Sequence, residues 1–333
     1  MTTLPPLYPT ARLRRNRRFE WLRDLVAETS LSHKDLVWPL FVREKDAAPT
    51  VASMPGVRRY TLEELDEALT RARALGIRTV LLFPVIPPEL RDEVGSESLK
   101  DSALVFKALA RIKALAPDMG LMADLALDPY TSHGHDGLIK DGDVHNDSTT
   151  EVLAKVALMQ AQAGADIIAP SDMMDGRVAA IRHLLDHNGH DQVGICSYAA
   201  KYCSALYGPF REILDSQGFL KGGHKKSYQM DPRNGAEAIR EVAQDLHEGA
   251  DSVIVKPGTL YLDIIHRVKE TFQVPTFAYH VSGEYAMLKA AAATGFLDEK
   301  RTLLETLICF KRAGADAIIT YSALEAAQWL NEV

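Results

Sequence analysis

Eight short apolar runs, each followed by a segment with helical periodicity or a polar loop, constrain the fold of this chain more than any other feature. The runs are almost continuously apolar and rich in β-branched residues, as parallel strands covered on both faces are. They are DLVWPLFV (35–42), TVLLFPV (79–85), GLMADLAL (120–127), ADIIAPS (165–171), VGICSY (193–198), DSVIVKP (251–257), TFAYHVS (276–282) and DAIITY (316–321). We therefore predict eight parallel strands with helices between them.

Amphipathic segments lie between these runs, and glycines end several of them. Segments 61–76 and 148–165 have apolar residues at helical spacing, and the second opens with a Ser/Thr cap signal. The tetrapeptides AGAD or EGAD at 163–166, 248–251 and 313–316 predict a helix-capping glycine directly before a strand. This alternation predicts an α/β fold, namely a (β/α)8 TIM barrel with an extended N-terminal arm. An open doubly wound sheet is the alternative, although no GxGxxG motif follows the first run.

The chain of 333 residues divides into an N-terminal arm for subunit contacts, 1–30, and a catalytic barrel, 31–333. The arm contains RLRRNRR, with five arginines in residues 12–18. The net charge of −7 argues against nucleic acid as the main partner. We expect the arginines to meet acidic faces of a neighbouring subunit, and a phosphate or anionic surface is the alternative.

Neither membrane insertion nor export is predicted. No apolar run approaches the ~18 residues of a membrane span, and the N-terminal sequence MTTLPPLYPTARLRRNRRFEW lacks the apolar core of a signal peptide. The three cysteines, Cys196, Cys203 and Cys309, lack CxxC spacing, so neither a disulfide framework nor a zinc knuckle is indicated. We expect a cytoplasmic protein.

Polar residues stand at the predicted exits of most strands. In a (β/α)8 barrel the C-terminal ends of the strands carry the chemistry, because the loops that follow them meet at one face. The polar residues at these exits are Asp124, Ser171, Asp172, Ser197, Lys201, Lys256, Ser282 and Tyr321. We predict that they form one convergent polar site.

Two of these residues, Lys201 and Lys256, are lysines on neighbouring predicted strands. Two ammonium groups ~4 Å apart at an effective dielectric of ~20 repel by roughly 4 kcal/mol, which could lower one lysine pKa by up to ~3 units. A neutral amine attacks carbonyl carbons and forms a Schiff base, so we predict that Lys256 is kept inside to react. A solvated or salt-bridged side chain is the alternative for either lysine alone. Tyr321 and Ser282 would bind a carboxylate or move protons, and Asp124 would position an ammonium or act as a base.

The segment 207–229 is long, basic and glycine-bearing. These properties predict a mobile lid over the pocket, with Arg211 and either Lys225 or Lys226 facing an anionic substrate. A solvated loop without this role is the alternative.

Five stretches resemble the porphobilinogen synthase family, also called δ-aminolevulinic acid dehydratase. They are ALDPYTSHGHDG (126–137), APSDMMDGR (169–177), SYAAKYCSALYGPFR (197–211), VKPGTLYLDII (255–265) and YHVSGEYAM (279–287), and the resemblance runs from about residue 10 to the end. It implies a lyase that condenses two 5-aminolevulinate molecules to porphobilinogen, with loss of two waters, for tetrapyrrole synthesis. It also implies a (β/α)8 barrel whose N-terminal arm wraps a neighbour, usually in a homo-octamer, and no organic cofactor.

The resemblance assigns the catalytic residues. The family binds its two substrate molecules at two sites, called the P site and the A site. Lys256 matches the lysine that forms the Schiff base with the P-site substrate, and Lys201 matches the second lysine, at the A site. Asp124 matches an active-site aspartate near the P-site amine.

The resemblance assigns the substrate-binding residues as well. Ser282 and Tyr321 match binders of the P-site carboxylate. Arg211 and Lys225 match lid residues that hold the A-site carboxylate, the latter being an arginine in many members.

The cysteines that bind zinc in some members of the family are replaced here. Their C-x-C…C positions are Ala126, Asp128 and Asp136, which excludes a thiolate zinc site, because carboxylates suit magnesium or manganese better. The chain thus resembles the aspartate-rich, magnesium-responsive group, in which Glu237 matches the ligand of an allosteric Mg²⁺ that keeps most of its waters. Asp128 and Asp136 would hold an active-site metal or, as we favour, pair with nearby lysines.

Two other functions are compatible with a polar barrel mouth. A different class I aldolase would also use a Schiff-base lysine on a (β/α)8 barrel, but it needs only one such lysine. A non-catalytic barrel used as a scaffold would have lost key polar positions, whereas every matched position here holds a competent residue.

Overall fold

A computed structural model describes residues 7–214 and 224–332 of the chain. Strands within these ranges are β1 (Leu36–Arg43), β2 (Arg59–Tyr60), β3 (Thr79–Val85), β4 (Gly120–Leu125), β5 (Ile139–Lys140), β6 (Asp143–Val144), β7 (Ile167–Pro170), β8 (Gly194–Lys201), β9 (Ser252–Lys256), β10 (Thr276–His280) and β11 (Ala317–Thr320). The helices are α1 (Glu20–Leu25), α2 (Leu65–Ala74), α3 (Leu104–Leu115), α4 (Asn146–Gln162), α5 (Arg177–His187), α6 (Gly208–Ile213), α7 (Gly235–His247), α8 (Leu262–Phe272), α9 (Ser282–Ala293), α10 (Glu299–Ala313) and α11 (Ala323–Leu330).

Eight of these strands are parallel and close into a barrel. Their hydrogen-bonded order is β1-β3-β4-β7-β8-β9-β10-β11, and β11 returns to β1 with Ile318 opposite Leu36 and Ile319 opposite Val37. The predicted (β/α)8 barrel is therefore confirmed, and all eight predicted runs are barrel strands. The alternative prediction of an open doubly wound sheet is wrong, because the two edge strands of an open sheet do not pair, whereas β11 pairs with β1.

Alternate side chains of the barrel strands enter two separate apolar cores. Side chains such as Phe41, Met122 and Ile254 fill the inside of the barrel, whereas Leu82 and Val253 pack in the outer layer beneath the helices. Both faces of the sheet are thus covered, which explains why the strands are almost continuously apolar in sequence.

The helix ends follow the sequence signals closely. Gly164, Gly249 and Gly314 have φ of +106°, +107° and +109°, in the left-handed region that favours glycine, so the predicted capping glycines are confirmed. Helix α4 begins at Asn146, earlier than the predicted start at 148, because the imidazole of His145 caps it by accepting a hydrogen bond from a backbone N–H of the first turn.

The end of strand β8 differs from the prediction. We expected it to end at residue 198, with Lys201 in the loop beyond, but the strand continues to Lys201. Ser197 lies opposite Val253 and Ala200 opposite Val255, so β8 has one more residue than β9 over this stretch. Such an extra residue is a β-bulge, which re-aims the side chains that follow it.

The bulge determines which way Lys201 points. Tyr198 belongs to the inner core, and the next two residues, Ala199 and Ala200, both belong to the outer core. In regular alternation from Tyr198, with every residue of this sequence kept, Ala200 would point inward and Lys201 outward. The bulge therefore turns Lys201 into the barrel mouth, directly opposite Lys256 of β9.

The described part of the N-terminal arm lies on the surface. Leu7, Trp21 and Leu25 are 85%, 63% and 73% exposed, and α1 is the longest helix among the described residues of the arm. None of the helices in the ranges that the structure covers is long and apolar enough to cross a membrane.

Candidate active site

A cavity at the C-terminal mouth of the barrel contains both lysines. Lys201 and Lys256 face each other at the ends of β8 and β9, and each is only 5% exposed. The cavity wall also includes Asp128, Arg211 and Lys225, which come from the loops and the helix beyond the strands. The structure thus brings these five residues together at one mouth.

Lys256 lies in an aromatic cage. Its Nζ is 5.0 Å from the ring centroid of Tyr198, 5.4 Å from that of Tyr207, 5.1 Å from that of Phe210 and 4.5 Å from that of Tyr279. Burial and the charge of Lys201 together lower the pKa of Lys256 to about 7, and burial is the larger of these two causes. From the sequence we gave repulsion by the second lysine as the cause, whereas removal from water is the larger one. A lysine with such a pKa presents a neutral, reactive amine near neutral pH.

Lys201 has polar neighbours on the opposite side. Its Nζ donates a hydrogen bond to the backbone oxygen of Ser171 and lies 3.5 Å from Oδ2 of Asp136. The two lysines thus differ in environment, one facing aromatic rings and the other facing oxygen atoms. This difference allows two amines in one cavity to have different chemical roles.

Two carboxylates accompany the lysines, the buried Asp136 and the half-buried Asp128. Lys225 Nζ lies 2.8 Å from Oδ1 of Asp136 and 3.4 Å from Oδ2 of Asp128, and Gln229 donates to Asp136 at 3.2 Å. Asp128 and Asp136 thus lie beside lysines, the arrangement that the sequence analysis favours over an active-site metal.

These pairs set the charges of the carboxylates. Burial alone would raise the pKa of Asp136, but Lys201 and Lys225 outweigh it and hold that pKa at about 2. Burial raises the pKa of Asp128, and the nearby Lys225 only partly opposes the rise. Of these two carboxyl groups, Asp136 is therefore the one that stays ionised at neutral pH.

Asp124 is the third carboxyl group of the site, and it is half-buried. Its Oδ2 accepts a hydrogen bond from the Ser171 hydroxyl at 3.2 Å, whereas its buried Oδ1 has no partner among the residues described. Burial raises the pKa of Asp124 to about 7, against the opposing charges of Lys256 and Lys201. A carboxyl group with this pKa both accepts and donates protons near neutrality.

Ser282 and Tyr321 are buried beside the residues that surround the Lys256 amine, and neither lines the cavity itself. The Ser282 hydroxyl donates to the backbone oxygen of Leu206 at 3.2 Å and accepts from the Phe210 N–H at 3.0 Å. The Tyr321 hydroxyl lies 3.2 Å from that of Tyr279, and burial raises the pKa of Tyr321, which keeps the phenol neutral.

Two residues of the predicted polar ring do not face the cavity. Ser197 points outward, donating to Asp245 at 2.6 Å and accepting from Arg177 at 3.0 Å. Asp172 also faces Arg177, at 3.9 Å. Counting polar residues at strand ends was wrong for Ser197, because its position in the alternation directs it to the helices.

The predicted lid is only partly described. Residues 215–223 of the segment 207–229 lie outside the described residues. Arg211 and Lys225 line the cavity, whereas Lys226 lines a different cleft, so Lys225 is the lysine of this pair at the mouth.

The sequence prediction missed the aromatic cage and Gln229. The rings of the cage come from β8, β10 and the region of α6, so no local motif brings them together. The only sequence signal is that Tyr207 and Phe210 are three residues apart, which places them on one face of a helix.

Glu237 lies apart from this mouth. It belongs to the first turn of α7 and lines a polar cleft with Asp143, Asp175 and Glu241. Its Oε2 accepts a hydrogen bond from the side-chain amide of Asn234 at 2.6 Å. No cluster of three or more metal-ligating side chains is found within residues 7–214 and 224–332.

Comparison with known proteins gives a consistent result. The family model for delta-aminolevulinic acid dehydratase matches residues 10–329. The delta-aminolevulinic acid dehydratase of Bradyrhizobium diazoefficiens is 53% identical over 98% of this chain and 92% of its own length. That of Rhodobacter capsulatus is 50% identical over 98% of this chain and 99% of its own.

A solved structure agrees with these relatives. The delta-aminolevulinic acid dehydratase (porphobilinogen synthase) of Toxoplasma gondii, in complex with the reaction product porphobilinogen, has a TM-score of 0.94 and 48% identity, covering 97% of this chain and 92% of that one. The match extends over the barrel and its mouth, and so decides against an unrelated class I aldolase or a scaffold. The chain therefore belongs to the delta-aminolevulinic acid dehydratase family, the family that its motifs resemble.

Proposed function

We infer that this chain is a porphobilinogen synthase, a hydro-lyase that condenses two molecules of 5-aminolevulinate to porphobilinogen with loss of two waters. This is a step of tetrapyrrole biosynthesis, which leads to heme and chlorophyll. The observation that carries the inference is the pair of buried lysines, Lys201 and Lys256, side by side at the mouth of the barrel. The family match over almost the whole chain supports it.

Lys256 would form the Schiff base with the P-site substrate. Its neutral amine, with a pKa of about 7, attacks the ketone carbon, and loss of water gives the imine. An ordinary lysine with a pKa of 10.5 would be almost fully protonated at pH 7 and would react far more slowly. The aromatic cage keeps bulk water from this amine.

Asp124 would move protons during the condensation. With a pKa of about 7 it takes up a proton from one group and returns it to another, without a large energy cost in either direction. Its unpartnered buried Oδ1 is the atom that a substrate amine or a proton of the imine would reach. We therefore assign it as the general base and acid.

The second substrate would bind on the side of Lys201. Arg211 and Lys225 line the same cavity and supply positive charge for its carboxylate, and Lys201 supplies the second amine for a Schiff base. Asp136, which stays ionised, holds Lys201 and Lys225 on this side.

Ser282 and Tyr321 would bind the carboxylate of the first substrate. Both are hydroxyl donors, and the raised pKa of Tyr321 preserves its proton. The carboxylate would replace Leu206 and Phe210 as the partner of the Ser282 hydroxyl.

The direct test is an assay with 5-aminolevulinate that detects the pyrrole colorimetrically. We expect porphobilinogen from the wild-type protein and none from Lys256→Met. Borohydride with 5-aminolevulinate should also leave a covalent adduct on Lys256, found by mass spectrometry. Pyrrole formation by Lys256→Met would refute the assignment.

We further propose that the enzyme responds to magnesium rather than zinc. Aspartates replace two of the three zinc cysteines, at Asp128 and Asp136, and Ala126 replaces the third. Glu237 would hold an allosteric Mg²⁺, for which one carboxylate suffices, because this ion keeps several waters. When bound, the ion would supply positive charge to the cleft that also contains Glu241.

Paired variants test the magnesium site. EDTA should lower the activity and Mg²⁺ restore it, whereas thiol-type zinc chelators should do little. The activity of Glu237→Gln should no longer respond to Mg²⁺. Comparison with Glu241→Gln, one turn further along α7, shows which of the two carboxylates binds the ion. An enzyme unaffected by EDTA and by Mg²⁺ would refute this proposal and leave the Schiff-base chemistry intact.

We also propose a cytoplasmic homo-octamer in which the arm, residues 1–30, lies on a neighbouring subunit and residues 31–333 form the catalytic barrel. The exposed apolar residues of the arm, such as Leu7 and Trp21, would be covered by that contact. Sedimentation of the full chain and of a chain lacking the arm tests this, and an octamer without the arm would contradict it.

A further inference from the structure

Helix α6 forms part of the cavity wall beside the reacting amine. It spans Gly208–Ile213, and its residues Phe210 and Arg211 line the cavity. The Phe210 ring packs edge-on against Phe83 inside the barrel, with centroids 5.6 Å apart, and lies 5.1 Å from Lys256 Nζ. The position of α6 therefore sets where Arg211 stands relative to the lysines.

Two buried arginines hold the C-terminal end of α6. The last carbonyls of a helix have no partner within it and, when buried, need a donor from elsewhere. Nη2 of Arg59 donates to the Glu212 oxygen at 2.6 Å, and Nη2 of Arg91 donates to the Leu214 oxygen at 2.8 Å. The arginines are 1% and 7% exposed. The Glu212 carboxylate accepts from the Ala52 N–H at 3.1 Å on the same side.

Each arginine is also fixed to the barrel. Arg59 begins β2 and lies opposite Phe41 of β1, and Nε of Arg91 donates to the oxygen of Ile86, directly after β3, at 3.0 Å. A guanidinium group presents several donors in a rigid fork, so it binds two backbone segments at once. Arg59 and Arg91 thus tie α6 to the first strands of the barrel.

The N-terminal end of α6 depends on a different residue. Ser282 accepts from Phe210 N–H and donates to the Leu206 oxygen. A Cβ on Gly283 would lie 2.5 Å from that same oxygen, so glycine permits the close approach. Because the Ser282 hydroxyl is also the proposed substrate ligand, a bound carboxylate would take over these contacts and leave the arginines as the anchor of α6.

We propose that Arg59 and Arg91 are positioning residues for the condensation, which hold α6 so that Arg211 meets the carboxylate of the second substrate. This inference rests on the proposed function. It predicts that their loss weakens the binding of the second substrate but spares formation of the first Schiff base on Lys256.

The test compares Arg91→Met with Arg91→Lys and with a matched control, Arg182→Met. Arg182 also donates to two backbone oxygens, those of Val193 at 2.6 Å and His190 at 3.1 Å, in the loop that precedes β8 at the opposite end of the barrel. A displacement of about 1 Å can cost about a hundredfold, so we expect Arg91→Met to raise the KM for 5-aminolevulinate between about ten- and a hundredfold.

Two further readouts separate positioning from a general loss of structure. The borohydride-trapped adduct on Lys256 should stay within about twofold of wild type in Arg91→Met. Amide hydrogen exchange in the peptide 208–214 should speed up about tenfold or more, because α6 loses an anchor. Arg91→Lys should give intermediate values, since an ammonium group replaces the fork with a single point donor, and Arg182→Met should change neither KM nor exchange in 208–214.

The outcomes are distinguishable. Unchanged KM and unchanged exchange in Arg91→Met, beside an active wild-type enzyme, would overturn this inference alone. Equal loss of adduct and pyrrole in both Arg91→Met and Arg182→Met would overturn it as well, since the effect would then be general instability. A wild-type protein that forms no porphobilinogen would overturn the proposed function, and this inference with it.

Discussion

The Lys256→Met variant should be more stable than the wild-type protein although it is inactive. The side chain is 5% exposed, and burial lowers its pKa from the ordinary 10.5 to about 7. The unfolded chain therefore binds a proton more tightly than the folded one, so this residue destabilises the fold fully below about pH 7, and the cost declines as the pH rises from about 7 to 10.5. Methionine has a similar length and no charge, and it fills the same space.

The magnitude follows from the two pKa values. At about 1.4 kcal/mol per pH unit, the difference between 10.5 and about 7 corresponds to a cost on the order of 4–5 kcal/mol at or below pH 7. The aromatic cage returns ~1–2 kcal/mol of this through cation–π attraction to the protonated amine. We expect a net gain of about 2–4 kcal/mol, or an increase in Tm of at least about 4 °C.

The assay is thermal unfolding of wild type and Lys256→Met at pH 7 and at pH 10. The difference in Tm should shrink at pH 10, because both folded and unfolded lysine are then closer to neutral. Lys201→Met is the matched control and should be destabilised, because it removes a partner of the ionised Asp136. A Met variant at position 256 that is no more stable at pH 7 than the wild type would refute the reasoning.

Two further predictions concern Lys201 and its carboxylate. Insertion of one alanine between Ala200 and Lys201 shifts the lysine by one position in the alternation and should turn it toward the helices, lowering the rate of pyrrole formation at least about a hundredfold, whereas Ala199→Gly keeps the residue count and should remain active; an active insertion variant would contradict this. Asp136→Asn should cost about 3–5 kcal/mol in urea unfolding, because Lys201 and Lys225 lose their shared anion. Asp231→Asn, at an exposed ion pair, should leave the unfolding midpoint unchanged, and equal behaviour of the two variants would count against the buried network.

The barrel could be predicted from the sequence because its signals are local and repeated. Each strand is an apolar run, and the glycines at 164, 249 and 314 end helices in the same conformation. The pair of lysines could also be predicted from the sequence, because both lie near the ends of neighbouring apolar runs. These features depend on composition and spacing within about ten residues, which a sequence displays directly.

The features that were missed depend on register and on distant contacts. The bulge at Ala199 and Ala200 changes the alternation by one residue, and only the pairing with β9 reveals it. For the same reason Ser197 could not be placed correctly. The pKa of Lys256 depends mainly on how deeply several loops bury it, which no spacing of charges encodes.

The dependence of Schiff-base formation on pH tests the central claim most directly. Levulinate, the same keto acid without the amine, is mixed with the protein between pH 5.5 and 10, and borohydride-trapped adducts are assigned to lysines by peptide mass. We predict that the initial rate of adduct formation at Lys256 rises to a plateau with a midpoint at about pH 7. A rate that continues to rise up to pH 10, as for an ordinary lysine, would contradict it.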